Sequence, residues 1–295
     1  MQTQNLKSSD PSGAAQDRER EFAFNDRDFQ RIRKMIYQHA GISLSPKKSD
    51  MVYSRVARRV RATGLQSFDA YLSKLDRGDT AEWQAFTNAL TTNLTAFFRE
   101  AHHFPILAEH VSKLSHRPIR IWCAAASTGE EPYSLAITLA EQFGTLAPPA
   151  TIVASDVDTT VLEAAESGEY ALERVAKLER DRLQNYFLCG SGPQEGRVKV
   201  RPELRKLIEF RQINLLDADW KLDGMFDAIF CRNVMIYFDK PTQARILEKF
   251  APLLRPNGLL FAGHSESLFH VSHLFRPRGK TVYALAEAGT QRRVA

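Results

Sequence analysis

Cysteine is scarce in this sequence: Cys123, Cys189 and Cys231 are the only three in 295 residues. They form no C-x-x-C pair, and no two histidines stand at metal-ligand spacing. Neither a metal centre nor a disulfide framework is expected. Long apolar runs are also missing, and nothing approaches the ~18 residues of a membrane-spanning helix. The N-terminus has no apolar signal-peptide core. These absences predict a reduced, cytoplasmic protein that does not insert into a membrane. No internal repeat is visible.

What is present is ordinary globular material, 43% hydrophobic and 25% charged, enough for one large or two modest domains. The net charge of +5 is unevenly placed. Between positions 31 and 63 there are nine Lys or Arg against one acid, Asp50. Such a patch suits an acidic partner: nucleic acid, a membrane surface or an acidic protein.

Residues 119–158 organise the chain. The apolar run Ile119, Ile121, Trp122, Cys123 meets a small-residue loop ending at Gly129, and helical spacing follows through Tyr133, Leu135, Ile137 and Leu139. A second apolar run, Ile152, Val153 and Ala154, ends in Asp156. This reads as strand, tight loop, helix, strand, with an acid at the second strand's tip. Ligands of open α/β sheets bind beyond the strand carboxyl ends, where one carboxylate can accept both ribose hydroxyls. The loop is not the G-x-G-x-x-G of a pyrophosphate site, and Glu130 and Glu131 at the helix start repel phosphate. A ligand with a ribose and a cationic amino-acid tail is tolerated, and S-adenosylmethionine (SAM) has both. Thr128-x-x-Glu131 also reads as a capping box, so a cap and a ligand contact are both open for Glu131.

Residues 1–21 read as a disordered tail, residues 22–88 as a small all-α domain, residues 89–290 as the main domain, and 291–295 as a second tail. Breaks fall at Gly41, Ser45-Pro46, Gly64 and Gly78. In MVYSRVARRVRA, Val52, Val56 and Val60 form a buried stripe, and Arg55, Arg58 and Arg61 point away with Arg59 on the flank. Arginines with no interleaved acid predict a docking surface. In the joining stretch ALTTNLTAFFREAHHF, the spacing also fits a helix start capped by Thr92 or Asn93. After the central unit, 185–211 reads as a small antiparallel β insertion in which Val198 and Val200 alternate with Arg197, Lys199 and Arg201 on an exposed edge. Strand 226–238, a helix, a Pro256-Asn-Gly258 turn, strand 259–263 and a final strand pair complete a mostly parallel α/β sheet.

Five stretches, TTNLTAFFRE, AAASTGEEPYS, ASDVD, FDAIFCRNVMIYFD and LLFAGHSES, together with the basic helix, resemble the SAM-dependent methyltransferases. Within that class they resemble the CheR-type chemoreceptor methyltransferases, in order and over nearly the whole of 22–286. The lack of G-x-G is shared by that branch. The resemblance implies a SAM-dependent methyltransferase-like fold and transfer of methyl from SAM to receptor glutamates, leaving S-adenosylhomocysteine. It implies cofactor contacts from Asn93, Thr95, Arg99, Glu131, Asp156, Asn214, Leu215, Arg232 and Asn233, with Tyr237 near the transferred methyl. Arg99 and Tyr237 are the candidates for orienting the reacting groups, and Arg55, Arg58 and Arg59 for docking the receptor. Some members of the branch hold a receptor's C-terminal peptide on the β insertion, and the GSGPQEGR loop looks like theirs. A monomer is expected. RNA methylation and SAM sensing without transfer are the alternatives. Nucleic acid is not the expected partner, because the aromatics near the arginines lie on the buried stripe, unlike a stacking platform.

Overall fold

The computed structural model describes residues 20–286. The tails expected at 1–21 and 291–295 lie outside these, except Arg20 and Glu21. Those two are not loose: Arg20 pairs with Asp50 at 2.8 Å, and Glu21 with Arg61.

Four helices come first: α1 (Asp26–Ala40), α2 (Ser49–Ala62), α3 (Phe68–Asp76) and α4 (Thr80–Leu90). Asn25 and Asp28 form a reciprocal capping box that starts α1. Gly41 ends α1 in the left-handed region at φ 71°, and a Cβ there would stand 2.8 Å from the Phe238 ring. Gly41 therefore both turns the chain and lets this domain close on the next. Val52, Val56 and Val60 are fully buried, as their spacing predicts, in a core with Ile32, Ile36, Tyr71 and Phe86.

The arginines of α2 do not form one free face. Arg59 grips the buried Glu82 through two bonds of 3.0 and 2.9 Å, and Tyr71 donates to the same carboxylate at 2.7 Å. Arg55 donates to the Ala89 and Thr91 carbonyls that end α4. The acids that answer α2 come from other elements, which local spacing cannot show. Arg58 remains exposed.

Thr91 to His102 is not the helix start that spacing allowed but an extended segment followed by turns; helix α5 begins only at His103 (His103–Ser112). Then come β1 (Ile119–Cys123), α6 (Glu130–Phe143), β2 (Ala150–Asp156), α7 (Thr159–Ser167), β3 (Glu169–Ala171), α8 (Leu172–Val175), α9 (Arg180–Tyr186), β4 (Phe187–Cys189), β5 (Arg197–Val200), α10 (Pro202–Arg205) and β6 (Ile208–Gln212). The chain ends with β7 (Phe226–Cys231), α11 (Lys240–Phe250), β8 (Leu254–Ala262), β9 (Phe275–Gly279) and β10 (Val282–Leu285). The main sheet runs β6-β2-β1-β7-β8-β10-β9, with β6 to β8 parallel and the last pair antiparallel. Strand β7 is buried along its length, as its two-sided apolar pattern requires. The direction of winding reverses between β1 and β7, and that switch point opens a crevice at the strand ends.

Two expectations fail here. The Pro256-Asn-Gly258 stretch is not a turn between elements. It bulges out within β8, where two steps along β7 (Phe226 to Ala228) match five along β8 (Leu254 to Leu259). Arg197–Val200 is not an edge either: it is the centre of a second sheet, β3-β5-β4. Its basic face is answered across the strands by Glu169, 2.9 Å from Lys199 and 3.5 Å from Arg197.

Candidate functional site

A cavity lies at the carboxyl ends of β1, β2 and β7, roofed by the helical domain and the 91–99 linker. It is lined by Asn93, Thr95, Arg99, Glu131, Asp156, Asn214, Leu215, Arg232, Asn233 and Tyr237, every residue expected at the cofactor or the reacting methyl. Arg55, Arg58 and Arg59 are not among its walls.

Asp156 leaves the tip of β2 with each oxygen committed once: the Ser127 N–H donates to Oδ2 at 2.9 Å and the Asp158 N–H to Oδ1 at 3.0 Å. A carboxylate has about four acceptor positions, so one remains on each oxygen for a ribose diol. Burial pushes its pKa up, and the two N–H bonds oppose that. Ser127, at φ 48°, and Gly129, at φ 96°, bend the preceding loop towards it. A Cβ on Gly129 would stand 2.7 Å from the Tyr170 hydroxyl.

Glu131 does not cap α6. The cap position is Gly129 without a side-chain bond, and Thr128 donates to Glu130 at 2.7 Å instead. Glu130 is fully buried and held by Arg174. Glu131 is thereby free to turn into the cavity, where Arg232 meets it at 2.6 Å and the Cys123 thiol at 3.3 Å. Burial, then the neighbouring Glu131, pushes the Cys123 pKa up, so it stays a thiol donor.

Arg232 is a positioning residue. Its buried guanidinium bridges Glu131 and, at 3.2 Å, Glu100, and it also donates to the Arg99 carbonyl. Burial pushes the Glu100 pKa up, but the Asn233 amide, the Arg232 charge and the His264 N–H outweigh it and hold it low. Asn233, at φ 58°, is fixed through its N–H by Glu266 at 2.9 Å. Glu100 and Glu266 were missed by sequence reading, although both lie within quoted motifs, FFRE and GHSES.

Asp158 was also missed. It caps α7, and its other oxygen receives Thr91 at 2.6 Å and Asn93 at 2.9 Å, which pins the linker over the cavity. Asn214 donates to the His39 carbonyl at 2.6 Å, joining the helical domain to the loop after β6. Arg99 donates to the Leu94 carbonyl at 2.8 Å and pairs with no acid among the described residues. The Tyr237 hydroxyl has no hydrogen bond among the described residues, and the Lys48 ammonium lies 5.6 Å from its ring centre. Among the described residues, no histidine or cysteine lines the cavity. A His116–Asp227 pair at 2.7 Å does exist, but at the opposite, amino-terminal edge of the sheet. His103, behind the cavity, is buried, and burial lowers its pKa to about 4, so the ring is neutral.

A parallel sheet that reverses at β1/β7, an acid on β2 and a first loop averse to phosphate define a SAM-dependent methyltransferase. Residues 93–284 match the family described as CheR methyltransferase, SAM binding domain, and residues 27–91 its all-alpha domain. The chain belongs to the CheR methyltransferase family, and SAM is its cofactor. It is 57% identical over 268 residues to chemotaxis protein methyltransferase 2 of Pseudomonas aeruginosa, covering 90% of this chain and 95% of that one. It is 58% identical to the chemotaxis protein methyltransferase of Salmonella typhimurium, covering 90% and 92%, and 55% identical to that of Escherichia coli, covering 90% and 93%. Among the described residues, no helix is long and apolar enough to cross a membrane.

Proposed function

We propose that this protein methylates glutamate side chains in the cytoplasmic domain of a chemoreceptor, leaving the glutamate methyl ester and S-adenosylhomocysteine, as a step of sensory adaptation. The supporting observation is the chemistry of the cavity wall. It offers cations and a hydroxyl, Lys48, Arg99 and Tyr237, and among the described residues no histidine or cysteine to act as a base. A glutamate is already ionised at neutral pH, so it needs orientation and not deprotonation. When bound, SAM supplies an electrophilic methyl on a sulfonium. Asp156 holds the ribose, Glu131 the ammonium of the tail, Asn214 and Leu215 border the adenine, and Asn93, Thr95 and Asn233 complete the walls. Arg232 keeps Glu131 aimed. Arg99 and Tyr237 orient the incoming carboxylate, and the linker excludes water, which strengthens attraction between the opposite charges that the reaction cancels.

The receptor docks in this reading on the exposed part of α2, centred on Arg58. Its C-terminal peptide adds as a strand to the three-stranded sheet, at the free edge of β4 beside the exposed Leu188. Incubation with radiolabelled SAM and receptor-rich membranes tests the reaction. Label released by mild alkali and insensitive to RNase is expected. RNase-sensitive label would mark RNA methylation, and cofactor binding without any label would mark a sensor.

A further inference from the structure

The turn Glu100-Ala101-His102-His103 lies behind the cofactor cavity, and methyl transfer uses neither imidazole. His103 Nε2 is 2.8 Å from the Lys280 carbonyl and 3.2 Å from the Thr281 hydroxyl, whose own proton goes to that carbonyl. Both partners can only accept, so Nε2 carries the proton of the neutral ring and Nδ1 presents a lone pair. That lone pair faces Glu100 Oε2 at 3.8 Å; Nδ1 has no hydrogen-bond partner among the described residues, and Oε2 has only the Arg232 ion pair at 3.2 Å. Two acceptors facing each other repel, and the fully buried Nδ1 has lost hydration with nothing in return. A cation held between them would remove the repulsion and satisfy Nδ1. His102 supplies a third donor: one ligand atom from each of Glu100, His102 and His103 lies within 4.8 Å of the others.

We propose that Glu100, His102 and His103 bind a borderline divalent metal ion of the Zn²⁺ type. Two imidazole nitrogens and one carboxylate suit Zn²⁺ and its transition-metal neighbours, whereas Mg²⁺ and Ca²⁺ seek oxygen shells. The Lys280 carbonyl already does what a metal-bound histidine requires, holding the far N–H and fixing the tautomer. Adjacent histidines are not a spacing that sequence reading flags, which is why no metal was expected. The site is linked to the cofactor. Arg232 lies 3.2 Å from the same Glu100 oxygen, so guanidinium and metal compete for one carboxylate. A metal that draws Glu100 away leaves Glu131 as the one acid on Arg232, and the cofactor's ammonium must then share a tighter pair. Metal and cofactor therefore oppose each other, reciprocally.

Calorimetric titration of Zn²⁺ into the intact protein, with and without saturating S-adenosylhomocysteine, tests this. One equivalent with Kd about 10 µM or tighter is expected. His102→Ala, at a half-buried position on the turn, should keep the fold by circular dichroism and weaken that equivalent at least about tenfold. Saturating S-adenosylhomocysteine should weaken it about threefold or more. No equivalent tighter than about 100 µM, or one that survives His102→Ala, overturns the site. Equal Zn²⁺ affinity with and without S-adenosylhomocysteine overturns the coupling.

Discussion

A carboxylate that accepts two backbone N–H groups and keeps two acceptor positions free, as Asp156 does, is held ready for a diol. Asp156→Ala should weaken SAM binding at least ~10-fold, since a charge-assisted hydrogen bond contributes about 1.5–3 kcal/mol. Unchanged affinity in the folded variant would remove Asp156 from the site. Its pKa is raised, so the carboxylate is protonated at a higher pH than an ordinary aspartate as acidity increases. SAM affinity should accordingly fall with pH starting above about pH 4, and a titration of Asp156→Asn should lack that step. Arg58 and Arg59 are neighbours in sequence with opposite roles. Arg59→Ala strands the buried Glu82 with only Tyr71, and should cost about 1–3 kcal/mol in urea unfolding. Arg58→Ala should leave stability within about 0.5 kcal/mol and slow receptor methylation without changing SAM affinity. Equal stability of the two variants would contradict this division.

Elements were legible where a pattern is local. The valine stripe of α2, the acid after β2 and the two-sided apolar β7 each follow from period and length. What failed depends on partners distant in sequence. Arg197–Val200 alternates like an edge strand, but β3 and β4 cover both its sides, and Glu169 neutralises the charges that seemed to protect an edge. The Thr128-x-x-Glu131 pattern fits a cap, yet Arg232, a hundred residues on, turns Glu131 inward. The edges are β3 and β4, and with the receptor peptide on β4 a titration should give micromolar binding, on the order of 8 kcal/mol. Cys189→Pro, which removes an N–H that faces away from β5, should abolish it with SAM binding intact. Persistent binding in that variant would leave the small sheet without a tethering role.

On the scale of the whole molecule, the cavity exists because two domains share it. Lys48 comes from one, Asp156 and Glu131 from the other, and Asp158 and Asn214 hold the linker and the helical domain in place. Gly41→Ala strains a left-handed position and drives a Cβ into Phe238 on the cavity wall. It should lower stability by about 1–2 kcal/mol and weaken SAM binding together, by thermal unfolding and calorimetry. The central claim, methyl transfer to a receptor carboxylate, is tested most directly by mass spectrometry of receptor peptides after incubation with the protein and SAM. Methyl esters on particular glutamates are expected, lost when those glutamates are changed to glutamine and when Asp156 is changed to alanine. A receptor without methylated glutamates, while SAM is bound and another acceptor is methylated, would contradict it.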